Sequence, residues 1–362
     1  MSGRGTHNGG AAAPSTAVAA DPVQWACRFL VASGRDHLGT DGAYRAAVVA
    51  TEERPESTLR RIRLGDGSRS RHFYLKTVRA TPETTAAQVA AVTTEYRVLA
   101  TLHEHFRSLS PLSVVKPIAC LPEGLSLLTE ETVGRPLNLV LAGTNPLRGA
   151  GNLRRHADLC RLAGAWLRHF QAITATPSRA RYDVAEILGY CEARVQLMLS
   201  RPESGLDLDT ALAVERHVRR LASRVGSAEL ELVGRHNDFR PANMLTDGRS
   251  LTVLDFTGFT SGPPLYDFMK FWLKLEDLSQ GLFPRRRRAA ALQAAFREGY
   301  GPVDLGTPLA ELLRYAYAVD KLSEGVDPAL PRPPWSRRPV MAQWRRSQRQ
   351  WLRRMAQGDG SP

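Results

Sequence analysis

The sequence predicts an α+β fold in which a small antiparallel sheet domain precedes a larger, mainly helical domain. Short strand patterns, one helix and two more strands occupy the first part of the chain, and helical patterns dominate after Gly134. A strand–loop–strand unit at 232–254 is the main interruption of those helices. Because strands and helices are segregated along the chain rather than alternating, an α+β arrangement is favoured over a doubly wound parallel sheet.

The first domain is predicted at 22–131, after a disordered tail at 1–21. Strand patterns occur at 46–51, 58–64 and 72–78, and Gly65-Asp66-Gly67 is a typical turn between the last two. Apolar positions at helical spacing predict a helix over 82–105, and two further strands are predicted at 114–118 and 125–129.

The second domain is predicted at 132–330, followed by a basic C-terminal helix and tail at 331–362. Its predicted helices are 153–173, 185–199, 208–225, 265–276, 285–300, 308–323 and 340–355. The 362 residues suit a two-lobed protein with tails, and 43% apolar residues are enough for a sizeable core.

Composition limits the classes of protein. No run approaches the length of about 20 apolar residues that a membrane span needs, and the N-terminus lacks the apolar segment of a secretory signal. The four cysteines form neither a CxxC pair nor a zinc spacing, so a reduced, cytoplasmic protein is expected. A net charge of +13 favours anionic partners such as nucleotides, phosphorylated substrates or anionic membranes. Nucleic acid is not an expected partner, because no reading motif occurs.

The segment 234–270 contains the chemically informative residues. His236-x-Asp238 is followed by Asn243, then by a short apolar strand that ends at Asp255, with an Asp247-Gly248 turn between them. Phosphoryl transfer needs a nucleophile held in line and cations on the triphosphate. One carboxylate on a tight loop can orient a hydroxyl and accept its proton, while an amide oxygen and a second carboxylate can hold magnesium. The alternative interpretation is three ordinary polar turn residues.

This segment resembles the catalytic core of the aminoglycoside phosphotransferase and choline kinase group, which has the protein-kinase-like fold. The matching residues are His236-Asn237-Asp238, Asn243-Met244-Leu245, Leu254-Asp255-Phe256 and Gly262-Pro263-Pro264-x-x-Asp267. Asn237 and Pro263 depart from the Gly and Asp usual in the group. Thr257 stands where protein kinases carry Gly, which argues against a protein kinase proper.

The resemblance implies specific roles. Asp238 is expected to act as the base or orienting carboxylate, and Asn243 and Asp255 as magnesium ligands. His236 and Asp267 are expected to support the catalytic loop. For Asp267, a plain carboxylate at a helix N-terminus is the alternative.

The nucleotide site of such a kinase requires a cation on the phosphates, and Lys76 is the candidate, with Glu95 as its ion-pair partner. The alternative for Lys76 is an exposed strand lysine. No glycine-rich loop joins the first two strands, so Ser57 is the candidate there for contact with the phosphates. Backbone groups at 130–132, including Glu130 and Thr132, are expected to bind adenine, and a surface turn is the alternative.

The phosphoryl acceptor is not identified by sequence. Acidic residues of the helical domain could bind a cationic acceptor or belong to solvated helix faces; they are Asp183, Glu186, Glu192 and Glu276. Arginines at 285–288 and at 331–355 favour an anionic or lipid-linked acceptor instead. The C-terminal helix, with Trp344 and Trp351, either lies on an anionic membrane or packs its apolar face on the helical domain.

The sequence therefore predicts an enzyme that uses ATP and Mg²⁺ to phosphorylate a hydroxyl of a sugar, amino alcohol, aminoglycoside or lipid-linked glycan. It is expected in the cytoplasm, with peripheral contact to the inner membrane face as an open option. The competing interpretation is a catalytically weak kinase-like scaffold that binds nucleotide.

Overall fold

The structure, a computed structural model, describes residues 21–142, 149–176, 179–226, 229–278, 286–328 and 338–356. Residues 1–20 of the predicted disordered tail lie outside this range. The chain divides into two compact units. We call the described residues up to Thr93, with Ile118–Glu131, the sheet unit, and the remaining described residues the helical unit.

The sheet unit begins with two helices that the sequence analysis did not predict, α1 (Pro22–Ala32) and α2 (Gly34–Leu38). Asp21 caps α1, because its carboxylate accepts a hydrogen bond from the Val23 amide at 3.0 Å. Proline at the first helical position fits this start, since its missing N–H would have no partner inside the helix. Leu30 is fully buried against the sheet core.

One five-stranded sheet forms the body of this unit, in the order β1-β2-β3-β6-β5. Its strands are β1 (Arg45–Glu53), β2 (Ser57–Gly65), β3 (Ser70–Val78), β5 (Pro117–Leu121) and β6 (Ser126–Glu130). The pairs β1–β2, β2–β3 and β3–β6 are antiparallel. Phe73 and Leu75 alternate with half-buried residues on β3 and are fully buried, as the period of two in a strand requires.

The predicted strand at 114–118 was wrong as a single element. The structure has β4 (Leu112–Val114), which pairs in parallel with a strand of the helical unit, and then β5 in the five-stranded sheet. Pro117 explains the break, because proline lacks the N–H that a continuing ladder would use and restricts the residue before it.

The helical unit contains a run of helices and short strands, and α3 (Thr85–Phe106) is divided between the units after Thr93. Its other described helices are α4 (Leu137–Ala142), α5 (Gly149–Thr174), α6 (Ala185–Leu199), α7 (Leu208–Gly226), α8 (Leu265–Leu278), α9 (Arg286–Tyr300), α10 (Pro308–Ser323) and α11 (Arg338–Ala356). The strands are β4, β7 (Arg135–Pro136), β8 (Arg179–Arg181), β9 (Glu229–Glu231), β10 (Val233–Arg235), β11 (Met244–Thr246), β12 (Leu251–Val253) and β13 (Thr260–Gly262). They form three small sheets, β4-β12-β11-β7, β10-β13 and β8-β9.

An aromatic cluster fills the core of the helical unit around Trp166 of α5. Its indole stacks on Phe106, Phe170 and Phe239 at centroid distances of 5.1, 5.2 and 5.5 Å, and lies 6.1 Å from Phe256. The indole N–H donates to the Ser113 carbonyl at 2.9 Å, which satisfies the polar atom of a fully buried side chain.

The C-terminal helix α11 packs on the helical unit, which decides between the two arrangements left open for its apolar face. Leu352 and Met355 are 2% and 3% exposed, and the Arg314 guanidinium lies 5.4 Å above the Trp351 ring. Arg349 donates to the Ser204 carbonyl at 2.7 Å. Trp335 and the side chains of Met341 and Trp344 lie outside the described part. None of the described helices has the length and apolar character that crossing a bilayer demands.

Candidate active site

The predicted catalytic loop connects β10 to β11 and carries Asp238. Phe239, the next residue, is fully buried against Trp166. The ring of Phe239 therefore anchors the loop in the core, while the neighbouring Asp238 carboxylate stays partly exposed, at 32% of its side-chain area.

His236 and Asp267 hold the start of this loop through buried hydrogen bonds. Asp267, fully buried on α8, accepts the backbone N–H of His236 at 2.6 Å and that of Asn237 at 3.0 Å. The His236 ring donates from Nε2 to the Leu254 carbonyl at 2.9 Å and accepts the Asp238 amide at Nδ1, which fixes its tautomer. Burial raises the pKa of Asp267 above its usual value, and the nearby His236, Arg235 and Lys270 oppose that rise.

Three side-chain donors surround the carboxylate of Asp238. Asn243 donates to Oδ2 at 2.7 Å, Arg240 approaches Oδ2 at 2.8 Å and Lys270 approaches Oδ1 at 3.0 Å. The structure thus brings Asp238 and Asn243 into direct contact. A carboxylate held in this way is suited to orienting a hydroxyl group, because it is already fixed in position before the reaction begins.

The hairpin β11–β12 brings Asn243 and Asp255 to the same end of one strand pair. Met244 pairs with Val253, and the Leu254 amide donates to the Asn243 carbonyl at 2.9 Å. Gly248 in the turn has φ +97°, which glycine adopts without a steric penalty. Asp255 is exposed, has φ +66° and accepts the Thr257 hydroxyl at 2.7 Å. Such a conformation for a non-glycine residue is sparsely populated and is common at functional sites.

Glu95 contacts the segment that follows Asp255. Its buried carboxylate accepts the Phe256 amide and the Thr257 hydroxyl, each at 3.1 Å, within the helical unit. The sequence analysis assigned Glu95 only to an ion pair with Lys76 and missed this contact. A helix residue and a loop 161 positions later carry no shared local pattern that could have revealed it.

The residues present fit a hard divalent cation. Asn243 uses its amide nitrogen in bonds to Asp238, so its amide oxygen can serve as a metal ligand, and the exposed carboxylate of Asp255 follows the paired strand at the same end of the hairpin. Within the described ranges no group of three or more His, Cys, Asp and Glu could hold a metal. Two oxygen donors from the protein, with phosphates and waters completing the shell, is the usual arrangement for Mg²⁺.

The candidate nucleotide residues lie in several places. Lys76 is on β3, paired in register with Leu59 and Leu127, and Ser57 begins β2 with 8% exposure. Glu130 ends β6 and forms an ion pair with Arg71 at 2.7 Å. Thr132 is half-buried and belongs to the helical unit. Their roles in nucleotide binding stay predictions.

Lys270, Arg240 and Arg235 are site residues that the sequence analysis missed. Lys270 follows Asp267 by three positions on α8, and residues at that spacing share a helix face, so this signal was available. Arg240 follows Asp238 by two positions in an irregular loop, where spacing alone does not predict direction.

A cavity of about 360 Å³ opens beside these residues, inside the helical unit. Its lining includes Lys270, which contacts Asp238, and also Arg235, Tyr266, Tyr190, Asp320 and Glu186. The volume is within the range of about 300–1,000 Å³ that small-molecule sites have. Tyr190 donates to Asp320, and burial with this bond raises the pKa of Tyr190 to about 12.

Of the four acidic candidates for acceptor contact, Glu186 lines this cavity. Glu192 instead pairs with Arg219 at 3.0 Å on the surface, and Asp183 accepts the Ala185 amide at 2.8 Å at the start of α6. Neither of these two, nor Glu276, is part of the lining.

Comparison with known proteins agrees with this fold. Residues 56–312 match the phosphotransferase enzyme family (APH), and the chain belongs to that family. No curated protein matches the sequence.

Among solved structures, a glucosamine kinase in complex with glucosamine, ADP and inorganic phosphate is similar, with a TM-score of 0.58 and 16% identity over 94% of this chain and 89% of that one. An ethanolamine kinase of Plasmodium vivax has a TM-score of 0.50 and 12% identity, over 91% of this chain and 87% of that one. The GDP and kanamycin complex of APH(2")-IIia has a TM-score of 0.50 and 12% identity, over 87% of this chain and 95% of that one. These likenesses show the protein-kinase-like fold, as predicted.

Proposed function

We propose that this phosphotransferase moves the γ-phosphoryl group of ATP to a hydroxyl of a small molecule, with Mg²⁺ as cofactor. The observation that carries the proposal is the contact of Asp238 with Asn243 on a hairpin whose second strand leads into Asp255. Family membership supports phosphoryl transfer in general, and the donor set supports a metal nucleotide as the source.

In this proposal Asp238 orients the acceptor hydroxyl and takes its proton. The hydroxyl oxygen forms a bond to the γ-phosphorus while the bond to the β–γ bridging oxygen breaks, and ADP leaves with that electron pair. Arg240 and Lys270, which flank Asp238, keep the carboxylate fixed during this displacement.

Asn243 and Asp255 would hold Mg²⁺, which supplies positive charge against the phosphate oxygens when it is bound. Glu95 and Thr257 position Asp255 for this task through the segment they share. The same proposal assigns Lys76 and Ser57 to the phosphates, and the backbone at Glu130 and Thr132 to adenine.

The acceptor would occupy the cavity next to Lys270. A volume of about 360 Å³ suits a compound of sugar or amino alcohol size. Hydroxyl groups of Tyr190 and Tyr266 supply hydrogen-bonding groups, since burial raises the pKa of both and keeps them protonated. Glu186 and Asp320 add acceptors on the side of α6 and α10.

The proposal also includes an anionic or lipid-linked acceptor and peripheral membrane contact. Leu352 and Met355 are buried, so membrane contact would depend on exposed arginines of α11 such as Arg346 and Arg354. Arg288 donates to the Leu141 carbonyl and to His156, so it is not a free surface charge. We also propose a cytoplasmic location, because the four cysteines show no disulfide-dense spacing in the sequence.

The competing function is a nucleotide-binding scaffold with little turnover. The test is ADP release by the purified full chain with MgATP and, separately, glucose, glucosamine, ethanolamine and kanamycin. We expect one compound to raise ADP release above the rate with water alone, and EDTA to abolish it. ATP binding without turnover in any reaction would favour the scaffold, and absence of binding would refute the nucleotide assignment.

A further inference from the structure

The side chain of Asn237 is engaged on both sides of the catalytic loop. Its Oδ1 accepts two bonds from Arg235, from Nη2 and, at 2.9 Å, from Nε, and its Nδ2 donates to the Gly258 carbonyl and, at 3.0 Å, to the Thr260 hydroxyl. The backbone of Asn237 has φ +63°, a conformation that glycine adopts freely and asparagine tolerates. Asparagine thus keeps the turn that glycine allows and adds four side-chain hydrogen bonds.

Arg235 is seated for these bonds by its surroundings. It is 3% exposed, its Nη1 donates to the Tyr182 hydroxyl at 2.8 Å, and its guanidinium lies 3.7 Å from the Tyr266 ring centroid. Opposite it, Gly262 leaves room for the arginine, since a Cβ there would stand 2.2 Å from the Arg235 Cδ. A buried arginine with a stacked face and paired nitrogens has little freedom to move independently of its partners.

Arg235 and Tyr266 also line the cavity, so the same two side chains face the cavity and hold the loop. Lys270 makes a second connection, because it lines the cavity, contacts Asp238 at 3.0 Å and donates to the Asn237 carbonyl at 2.5 Å. A compound that contacts Arg235 or Lys270 therefore contacts a side chain bonded to Asn237 or Asp238.

We propose that Arg235 and Asn237 are positioning residues that couple the cavity to the orientation of Asp238. The proposal rests on the proposed function, because it takes the cavity as the acceptor site. An acceptor packed on Tyr266 restrains Arg235, Arg235 restrains Asn237, and Asn237 sets the direction of the peptide that carries Asp238. When this link is cut, Asp238 keeps its donors, including Lys270 of the cavity wall, but loses the restraint that reaches it through Arg235 and Asn237.

The test is a double-mutant cycle in the full chain with Asn237→Gly and Arg235→Lys. Glycine retains the positive φ and lysine retains the charge, so both variants are expected to fold. Each is measured for ADP release from MgATP with water as acceptor and with the panel compound that gives the highest rate. We expect each single variant to lower kcat with that compound by about 10- to 100-fold, as misplacement of a reacting group does, with KM for ATP unchanged.

The double variant distinguishes coupling from two separate effects. We expect its kcat to match the worse single variant, because both changes remove one link. Multiplied losses in the double variant would overturn the proposal, and so would wild-type kcat in either single variant. If no compound of the panel acts as an acceptor, the same double-mutant cycle is measured on ADP release with water as acceptor. Arg219→Lys, a surface exchange, is the matched control.

A second readout keeps the coupling separable from the proposed function. Hydrogen exchange of the peptide that contains Asn237 and Asp238 should be faster in both single variants, by more than the change in global stability measured by urea unfolding accounts for. Unchanged exchange there would also overturn the coupling. Absence of ADP release in the wild-type protein would count against the proposed function alone.

Discussion

The carboxylate of Glu95 accepts the backbone N–H of Phe256 at 3.1 Å, so a residue of α3 directly holds the peptide that follows Asp255. The single hydroxyl proton of Thr257 is shared between the second oxygen of Glu95, at 3.1 Å, and Asp255, at 2.7 Å. Glu95 is therefore connected to Asp255, the proposed metal ligand, both through the backbone at Phe256 and through Thr257. Removing Glu95 should disturb the position of Asp255 more than it disturbs nucleotide binding.

Glu95→Ala is expected to lower the free energy of unfolding by about 1–3 kcal/mol, the usual penalty for a buried N–H that loses its partner. It should also reduce ADP release and weaken the Mg²⁺ dependence. Glu95→Gln retains an oxygen for the Phe256 amide and should lose less stability. Urea unfolding and Mg²⁺ titration of activity check both, with the exposed Glu104→Ala on the same helix as control. Equal stability of Glu95→Ala and wild type would contradict this role.

Asp238→Asn is expected to reduce ADP release by about 10²- to 10⁴-fold, because the amide cannot take the proton of the hydroxyl. Affinity for ATP should stay nearly unchanged, since the assigned nucleotide contacts are made by other residues. Rapid kinetics and equilibrium binding of ATP measure the two quantities. Asp158→Asn, an exposed carboxylate on α5, controls for the loss of one negative charge. Wild-type turnover in Asp238→Asn would remove Asp238 from the mechanism.

Asp247 should stabilise the site hairpin in a pH-dependent way. Its carboxylate accepts the Arg249 and Ser250 amides, each at 2.8 Å, and these bonds lower the pKa of Asp247 to about 2. Because the pKa is lower in the folded state, the stabilisation is present above the ordinary pKa near 4 and is lost as pH falls toward 2.

Asp247→Asn tests this directly. We expect its free energy of unfolding to be roughly 1 kcal/mol below wild type at pH 7, and the difference to shrink at pH 3. Urea unfolding at the two pH values gives the measurement. A difference that does not depend on pH would assign the effect to geometry rather than to charge.

Leu352→Ala in α11 is expected to cost about 2–5 kcal/mol, as truncation of a buried leucine does. Arg354→Ala on the exposed face should lower the free energy of unfolding by less than about 0.5 kcal/mol, as most surface substitutions do. Sedimentation with anionic vesicles separates membrane contact from packing. Undiminished stability in Leu352→Ala would mean that the helix does not depend on this contact.

Sequence patterns predicted the parts of the fold that depend on local periodicity. The bounds of α6 and α10 match the predicted helices, and the turn at Asp66 lies where Gly65 and Gly67 indicated. Helices α1 and α2 were missed because the sequence analysis assigned no element between the predicted tail at 1–21 and the first strand pattern at 46–51. The site motif was local enough to be recognised around Asp238.

Contacts between distant segments could not be predicted in the same way. The bond from Glu95 to Phe256 and the stacking of Arg235 on Tyr266 depend on tertiary packing, which no spacing in a single sequence encodes. The apolar face of α11 was visible in the sequence, but its burial depends on a matching surface on α7 and α10, so two arrangements stayed open until the structure was known.

Trp166 touches both Phe239 and Phe256, the rings that directly follow Asp238 and Asp255. One indole therefore sets the spacing between the residue proposed to activate the acceptor and the residue proposed to hold the metal. Variants selected for new acceptors should accumulate changes in α6 and α10, which face the cavity, while α5 stays unaltered at this position. Changes on α6 and α10 are expected to alter the choice of acceptor, whereas changes at Trp166 are expected to move Asp238 and Asp255 together.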